Sequence, residues 1–489
     1  MKTISDYAEY LEKLITDELV PKSDDKVDFI TCDSRKVKPG TLFFAIEGSA
    51  NDGHCYIEAA VKNGATGIVY GNVLKSYAPG ISYLKVENQY LAYALACEYF
   101  FNCPANNLRL HGITGTNGKT TTAFLIEHIF SKHNSKCGLI TTVECRNGSS
   151  VFPAEHTTPE AFELQKLFRQ IADNNCKEAV MEVSSHGLDQ FRPGSTGFHS
   201  AVFTNLTGDH LDYHKDMERY FQVKKHLFSH YLSVSGTAII NIDDNYGKRL
   251  ADEFIHKNII TYGKDEKADC RIIDLVMTAS GTNFAVKFKE SIFQINSCLI
   301  GEYNAYNSCA AFCTALNSGI DGEAAAIYLS EKIQVPGRLE RFEDKRGVNY
   351  FVDYAHTDDA IRNVLKNLKK IVQGKIITVF GCGGDRDRSK RPRMGKAASE
   401  YSDLLVITSD NPRSENPIDI IDEIVTGLDY KTAYKIEPDR GKAIRLASAM
   451  AGKGDFILVA GKGHECTQDI NGQVIEFNDK QKILSICAT

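Results

Sequence analysis

The sequence predicts an α/β protein of three domains: a small α/β N-terminal domain, a central domain around a mostly parallel sheet, and a C-terminal Rossmann-like α/β domain. Three observations carry this. The 489 residues exceed what one core serves at roughly 100–200 residues per domain. β-Rich runs alternate with helical stretches along the chain. Several apolar runs end in Gly- or Asp-rich loops, as at the carboxyl edge of an open α/β sheet. The alternation breaks at FNCPANN (101–107) and at Val335-Pro336-Gly337, which places the domains at 1–103, 104–335 and 336–489.

The opening MKTISDYAEYLEKL reads as an amphipathic helix. It has no apolar h-region or cleavage site, and no run of about 18 apolar residues follows it, so neither export nor membrane insertion is expected. FITCDS, TLFFAIEG, GIVYG and ISYLKVEN are short strands, with helices at YIEAAVKNG and YLAYALACEYF. From Leu108 come LRLHGITG, a helix from Thr120 to about His133, KCGLITTV, a helix from Pro159 to about Asn175, EAVMEVSS and SAVFTNL. Strands separated by helices of that length imply right-handed crossovers and parallel pairing. GTAIINIDD, NIITYG, FAVKF and FQINSCLI are further strands, before an Asn- and Ala-rich helix at about 304–318. NYFVDYAH, KIITVFGCGG, LLVITSDNP and DFILVAGKGH supply the last sheet.

Hydrophobic residues at 43% and charged residues at 25% fit ordinary globular cores and exclude wholesale disorder. With 57 Lys+Arg against 63 Asp+Glu, the net charge of −6 leaves no basic face for nucleic acid. The 14 cysteines are scattered without a CxxC pair and read as reduced thiols in a cytoplasm. No repeat period appears.

His111-Gly112-Ile113-Thr114-Gly115-Thr116-Asn117-Gly118-Lys119-Thr120-Thr121 lies between an apolar strand and a helix. Glycines let backbone N–H groups converge on phosphate oxygens, Lys119 can reach the β/γ-phosphates, and the Thr120 hydroxyl can ligate magnesium. Usual spacing would put glycine at 113; Ile113 stands there instead. Nucleotide binding follows, but no particular reaction, because kinases, motors, switches and ligases share such loops.

Glu182 ends the next strand, before Ser184, Ser185 and His186, and another strand leads into TNLTGDHLDYH (204–214). Two such loops at neighbouring strand ends can hold a metal beside phosphates, although His210 and His214 fit a surface turn equally well. Zinc is disfavoured by the lack of HExxH or a Cys cluster. Lys224, in YFQVKKH on an expected helix, reads first as a solvated lysine. A buried one with a lowered pKa could instead add carbon dioxide, forming a carbamate able to bind magnesium.

Taken together, these residues resemble the Mur ligases, ATP-dependent amide-forming enzymes of peptidoglycan precursor synthesis. The likeness runs from CDSRKVKPGTLFFAIEG through GITGTNGKTTT, HTTPE, MEVSSHGL and FTNLTGDHLDYH to VPGRLE, DYAHTDDA, GCGGDRDRSKRPRMG, TSDNPRSENP and AGKGHE. It implies ATP on Gly115, Thr116, Asn117, Gly118, Lys119, Thr120 and Thr121. It also implies magnesium on Thr120, Glu182 and His210, with Lys224 as N6-carboxylysine completing the set. Asn304 would sit near adenine, Asp353 near ribose, and Arg338 near the phosphates after domain closure. The implied catalytic residues are Lys119, Lys224, His210 and Arg338. Ser34 would touch the uridine end, while His156, Thr157, Thr158, Ser184, Gln190 and Arg192 would grip a muramoyl-dipeptide. Ser49-Ala50 replaces a polar pair linked to uracil contacts in some members.

Asp410-Asn411-Pro412-Arg413 looks like the family signature for meso-diaminopimelate, whose extra carboxylate a guanidinium matches bidentately. By the same resemblance Arg386 and Arg413 would bind carboxylates, and Glu465 with the Gly461 backbone would receive the distal ammonium. Most of RDRSKRPR, though not Arg386, is expected to be a solvated basic edge. The implied reaction phosphorylates the free D-glutamyl carboxylate of UDP-MurNAc-L-Ala-D-Glu and lets the amine attack the acyl phosphate, in a cytoplasmic monomer. A folylpolyglutamate synthase is the nearest alternative, opposed by the DSR segment and the DNPR and GKGHE loops. An ATP-bound switch is the other, and nothing resembles its effector surface. Lanthionine would satisfy the same arginines.

Overall fold

The computed structural model describes residues 2–19, 25–48, 51–209 and 211–488. They form two compact units, Met1–Asp269 with Ala310–Asp321, and Cys270–Cys309 with Gly322–Thr489. Among the described residues no helix is long and apolar enough to cross a membrane, and the cysteines are free thiols.

The first unit carries two sheets. One runs in the order Ile15–Leu19, Ser82–Val86, Ala65–Tyr70, Thr41–Phe44, Phe29–Thr31, parallel except for the first pair. The expected N-terminal helix is shorter than its pattern. Helix Ile4–Tyr10, closed by a Thr3–Asp6 capping box, gives way to a 3-10 turn at Glu12–Leu14 and then to strand Ile15–Leu19. Helix Gln89–Phe100 covers this sheet, packing Ala92, Ala96 and Cys97 with Ile30, Leu42 and Phe44. Its buried Glu98 accepts hydrogen bonds from the N–H and hydroxyl of Ser195, at 3.0 and 2.8 Å, which ties the N-terminal sheet to the chain of the next.

The second sheet of this unit runs Asn258–Gly263, Leu232–Asn241, Phe198–Phe203, Arg109–Thr114, Glu178–Glu182, Cys137–Ile140, all parallel, then Glu144–Arg146 and Val151–Pro153 antiparallel. Its middle strands are buried on both faces, which explains their near-continuous apolar runs. Phe168, Phe198, Phe221 and Phe228 fill the core, each contributing about 2–3 kcal/mol on burial. Helices Lys119–Lys132, Ala161–Asp173 and Met217–Ser229 fall close to where the sequence puts them.

In the second unit, Cys270–Thr278, Gly281–Phe288 and Ser291–Ser297 form antiparallel ladders, followed by helix Glu302–Asn317, which begins here. The final sheet runs Glu340–Glu343, Asn349–Asp353, Phe456–Ala460, Ile376–Phe380, Leu404–Ile407, Ala433–Ile436, parallel after the first pair. Its last strand is exposed at every position. The registers Asp353↔Ala460 and Phe380↔Ile407 bring four Gly/Asp-rich loops to one edge.

Candidate active site

In the first unit, strand Arg109–Thr114 is flanked by Glu178–Glu182 and Phe198–Phe203, with Glu182 beside Ile113 and Phe203 beside Thr114. The phosphate loop therefore opens between Glu182 and the Thr204–Asn205 turn. Gly115 has φ +147°, and a Cβ there would lie 2.0 Å from the Thr204 hydroxyl, so only glycine fits. Thr204 Oγ1 and Asn205 Nδ2 donate to the Asn117 carbonyl at 2.6 and 3.1 Å, and Asn205 Oδ1 accepts from the Asn117 N–H at 3.0 Å. Lys119 folds back, donating to the carbonyls of Gly115 and Thr116 at 2.9 and 2.8 Å. Thr120 and Thr121 start the helix, with Gly118 left-handed at its cap.

Lys224 projects from helix Met217–Ser229 and is 1% exposed. Its ammonium position lies 2.9 Å from the Gly115 carbonyl and 4.6 Å from the Tyr220 ring centroid. Burial first, then the charge of Lys119, pushes its pKa well below that of an ordinary lysine. A solvated lysine is thereby excluded. Tyr220 in turn reaches Thr116 Oγ1 at 3.4 Å and stacks on His214 with centroids 5.0 Å apart. These contacts between the helix and the loop come from residues that no short motif links.

Glu182 is buried and accepts from the N–H and hydroxyl of Thr142, at 2.9 and 3.2 Å. With the Thr120 hydroxyl it offers hard oxygen donors of the kind magnesium takes. His210 and Ser49-Ala50 lie outside the described residues, and among those described no three His, Cys, Asp or Glu side chains gather as a metal cluster. The Thr142 and Thr157 hydroxyls also lie within hydrogen-bond distance, at 3.1 Å. Thr158 donates to the Glu182 carbonyl and accepts from Ser184 N, both at 2.9 Å. Arg192 donates to Gln190 and to the Thr158 carbonyl. Thr157, Thr158, Ser184, Gln190 and Arg192 thus form one connected wall. His156 is exposed in the loop that precedes it, and Ser34 starts a short 3-10 turn capped by Asp33.

In the second unit, Asp410 and Gly461 meet. A Cβ on Gly461, at φ +115°, would come 2.5 Å from the Asp410 carboxylate. Burial raises the Asp410 pKa, against Arg440 and Lys462, which lower it. Arg413 adopts φ +51° and donates to the Gly384 carbonyl at 2.6 Å. Arg386 is exposed on the adjoining loop. Glu465 accepts on Oε2 from Asn411 Nδ2 and Lys462 Nζ, at 3.0 and 2.9 Å, while Lys462 also donates to Asn411 Oδ1 at 3.1 Å. Burial acts to raise the Glu465 pKa, but Lys462 and Asn411 outweigh it and hold the carboxylate ionised.

Lys462 is a candidate site residue that sequence reasoning passed over, although its place in GKGHE beside Glu465 was the available signal. Arg391 is an exception to the basic edge expected of RDRSKRPR. It is 1% exposed rather than solvated, and pairs with Glu415 at 2.7 Å and Glu423 at 2.9 Å. Elsewhere in this unit the Asn304 amide is engaged by Ile300 O and Asn307. Asp353 accepts from Leu339 N and Ala355 N, and Arg338 lies over the Tyr354 ring at 4.8 Å.

A phosphate-shaped loop with a deprotonation-prone lysine beside it belongs to nucleotide-using enzymes, and relatives narrow the class. Residues 113–315 match the Mur ligase middle domain, 337–463 the Mur ligase glutamate ligase domain, and 26–87 the Mur ligase family catalytic domain. The chain belongs to the Mur ligase family, whose members are ATP-dependent, ADP-forming amide ligases. More particularly, it is similar to the protein of Geobacter metallireducens named UDP-N-acetylmuramoyl-L-alanyl-D-glutamate--2,6-diaminopimelate ligase, with 40% identity over 94% of this chain and 93% of that one. The Aquifex aeolicus protein of the same name is 43% identical over 94% of each. A solved structure of a ligase so named aligns over 99% of this chain and 98% of its own, at 32% identity and TM-score 0.69.

Proposed function

We propose that this chain joins meso-diaminopimelate to the D-glutamyl carboxylate of UDP-MurNAc-L-Ala-D-Glu, consuming ATP and working as a cytoplasmic monomer in peptidoglycan precursor synthesis. The observation that carries the choice of amine is the joint pocket of the 410–413 and 461–465 loops. There Asn411 and Glu465 share hydrogen bonds with Lys462, and Arg413 is fixed on Gly384. A guanidinium suits the second carboxylate of diaminopimelate, and an ionised Glu465 suits its distal ammonium.

Amide formation in water is uphill, so the carboxylate is first phosphorylated. Lys119, released from its own loop carbonyls, would follow the γ-phosphoryl group, with loop N–H groups holding the other phosphates. Thr120, Glu182, His210 and carbamylated Lys224 would hold magnesium, which supplies charge neutralisation when bound. Thr157, Thr158, Ser184, Gln190 and Arg192 would orient the muramoyl-dipeptide so that its free carboxylate meets the phosphoryl group, with Ser34 and His156 further along the nucleotide sugar. By the family resemblance, Asn304, Arg338 and Asp353 would serve the nucleotide. Residues 1–103, 104–335 and 336–489 divide these tasks into sugar-nucleotide anchoring, activation and amine recognition.

The test is ADP release with UDP-MurNAc-L-Ala-D-Glu, ATP and magnesium, offered diaminopimelate, lanthionine or L-lysine. Diaminopimelate-dependent turnover is expected. Lysine-selective turnover would refute the amine assignment, and turnover with none would refute the ligase reading.

A further inference from the structure

The guanidinium of Arg192 already holds a carboxylate. Its Nε and Nη2 donate to Gln190 Oε1 at 3.1 and 2.8 Å, and Nη1 donates to the Thr158 carbonyl at 2.5 Å. Nη2 also lies 2.6 Å from Glu160 Oε1. Gln190 and Thr158 are among the residues assigned to the dipeptide, whereas Glu160 is not. Its side chain is 51% exposed, against 11% for Arg192. It stands at the N-cap of helix Ala161–Asp173 without making a capping hydrogen bond, so it can swing away without unmaking an element. Its charge is felt at Tyr90, whose phenol is raised first by burial and then by Glu160.

We infer that Glu160 is an internal stand-in for the substrate carboxylate, occupying the outward edge of Arg192 until the α-carboxylate of the nucleotide-linked dipeptide displaces it. The inference rests on the reading above, in which Arg192 receives that dipeptide. Exchanging one carboxylate for another leaves the guanidinium paired in both states, so it is never left largely desolvated and unmatched. The exchange also discriminates. A ligand that brings an anion to this point can displace Glu160, whereas a neutral-ended one meets a filled position. Glu160 is thus a specificity-determining residue that weakens binding of the correct ligand somewhat and gives a neutral one nothing to gain.

Calorimetric titration of two ligands into the full chain and into Glu160→Gln tests this. One ligand is UDP-MurNAc-L-Ala-D-Glu; the other is its α-amide, UDP-MurNAc-L-Ala-D-isoglutamine. In the variant the Kd of the acid is expected to fall about fivefold, the equivalent of releasing one part-exposed ion pair. The Kd of the amide, the KM for ATP and the thermal midpoint are expected to stay within about twofold or a degree. Unchanged or weaker binding of the acid overturns the inference, the weaker case meaning that Glu160 itself touches the ligand. Equal tightening of both ligands also overturns it, because a general field and not an exchange at Arg192 would then be at work. If the unaltered chain binds neither ligand, it is the functional reading that fails.

Discussion

Lys224 and Lys119 both donate to the carbonyl of Gly115, and burial together with the Lys119 charge disfavours the ammonium form of Lys224. A neutral Lys224 is the form able to take up carbon dioxide. Lys224→Ala is expected to lower ligase turnover by about 10²-fold or more, with partial recovery when short carboxylic acids are added; full activity in the variant would remove the carbamate from the mechanism. In the amine pocket, Lys462→Met should raise the KM for diaminopimelate about tenfold while leaving that for ATP alone. The reason is that Glu465 and Asn411 lose the donor that aims them. Steady-state kinetics with each substrate varied in turn would read this split. Arg391 shows why single side chains escape a sequence reading. Its partners lie 24 and 32 residues further on, and a run of Arg and Lys gives no sign of which member folding will bury.

At the level of elements, the glycine that lets the phosphate loop pass beneath Thr204 is as demanding as any side chain. Gly115→Ala is expected to destabilise the first unit by roughly 2–4 kcal/mol and to abolish ATP binding, measured by thermal unfolding with and without nucleotide. Elements with a strong period were legible: the buried parallel strands and the three helices beside the loop carry apolar runs or stripes that only tertiary burial rewards. Several short or exposed strands were not, among them Glu144–Arg146, Val151–Pro153, Glu340–Glu343 and Ala433–Ile436, and two more show why. Ile15–Leu19 is a mostly exposed edge with little apolar pattern. Cys270–Thr278 loses its alternation where the register slips between Ile273 and Val276 and Asp274 adopts φ +52°. The loops that bear the chemistry were found from residue type and order. The contacts between them, such as Asn205 on Asn117 or Glu160 on Arg192, depend on sheet register, which no local pattern encodes.

Across the whole molecule, stability should respond to acid through a buried trio on three adjacent strands of the central sheet. His111 is fully buried, 2.9 Å from Glu178 and 2.8 Å from Ser200, and Arg109 also pairs with Glu178. Burial lowers the His111 pKa from the ordinary 6.5. Burial would raise Glu178, but His111 and Arg109 outweigh it, and its pKa falls below the ordinary 4.5. In both cases the unfolded chain binds protons more readily. Stability is therefore expected to fall as pH drops below about 6.5, through His111 first and Glu178 later. Thermal midpoints from pH 7.5 to 5.0 would show it, with a shallower slope in His111→Asn. A different property follows from the outermost strand of the C-terminal sheet. Ala433–Ile436 shows all four residues to solvent, with Tyr434 and Ile436 on a ribbon whose outer backbone groups have no neighbouring strand among the described residues. A lone lysine, Lys435, interrupts that ribbon, and charge at such a margin hinders strand-to-strand accretion. How concentrated a solution this chain tolerates is thus set in part by a residue far from any substrate, and Lys435→Val should bring turbidity on at lower protein concentration.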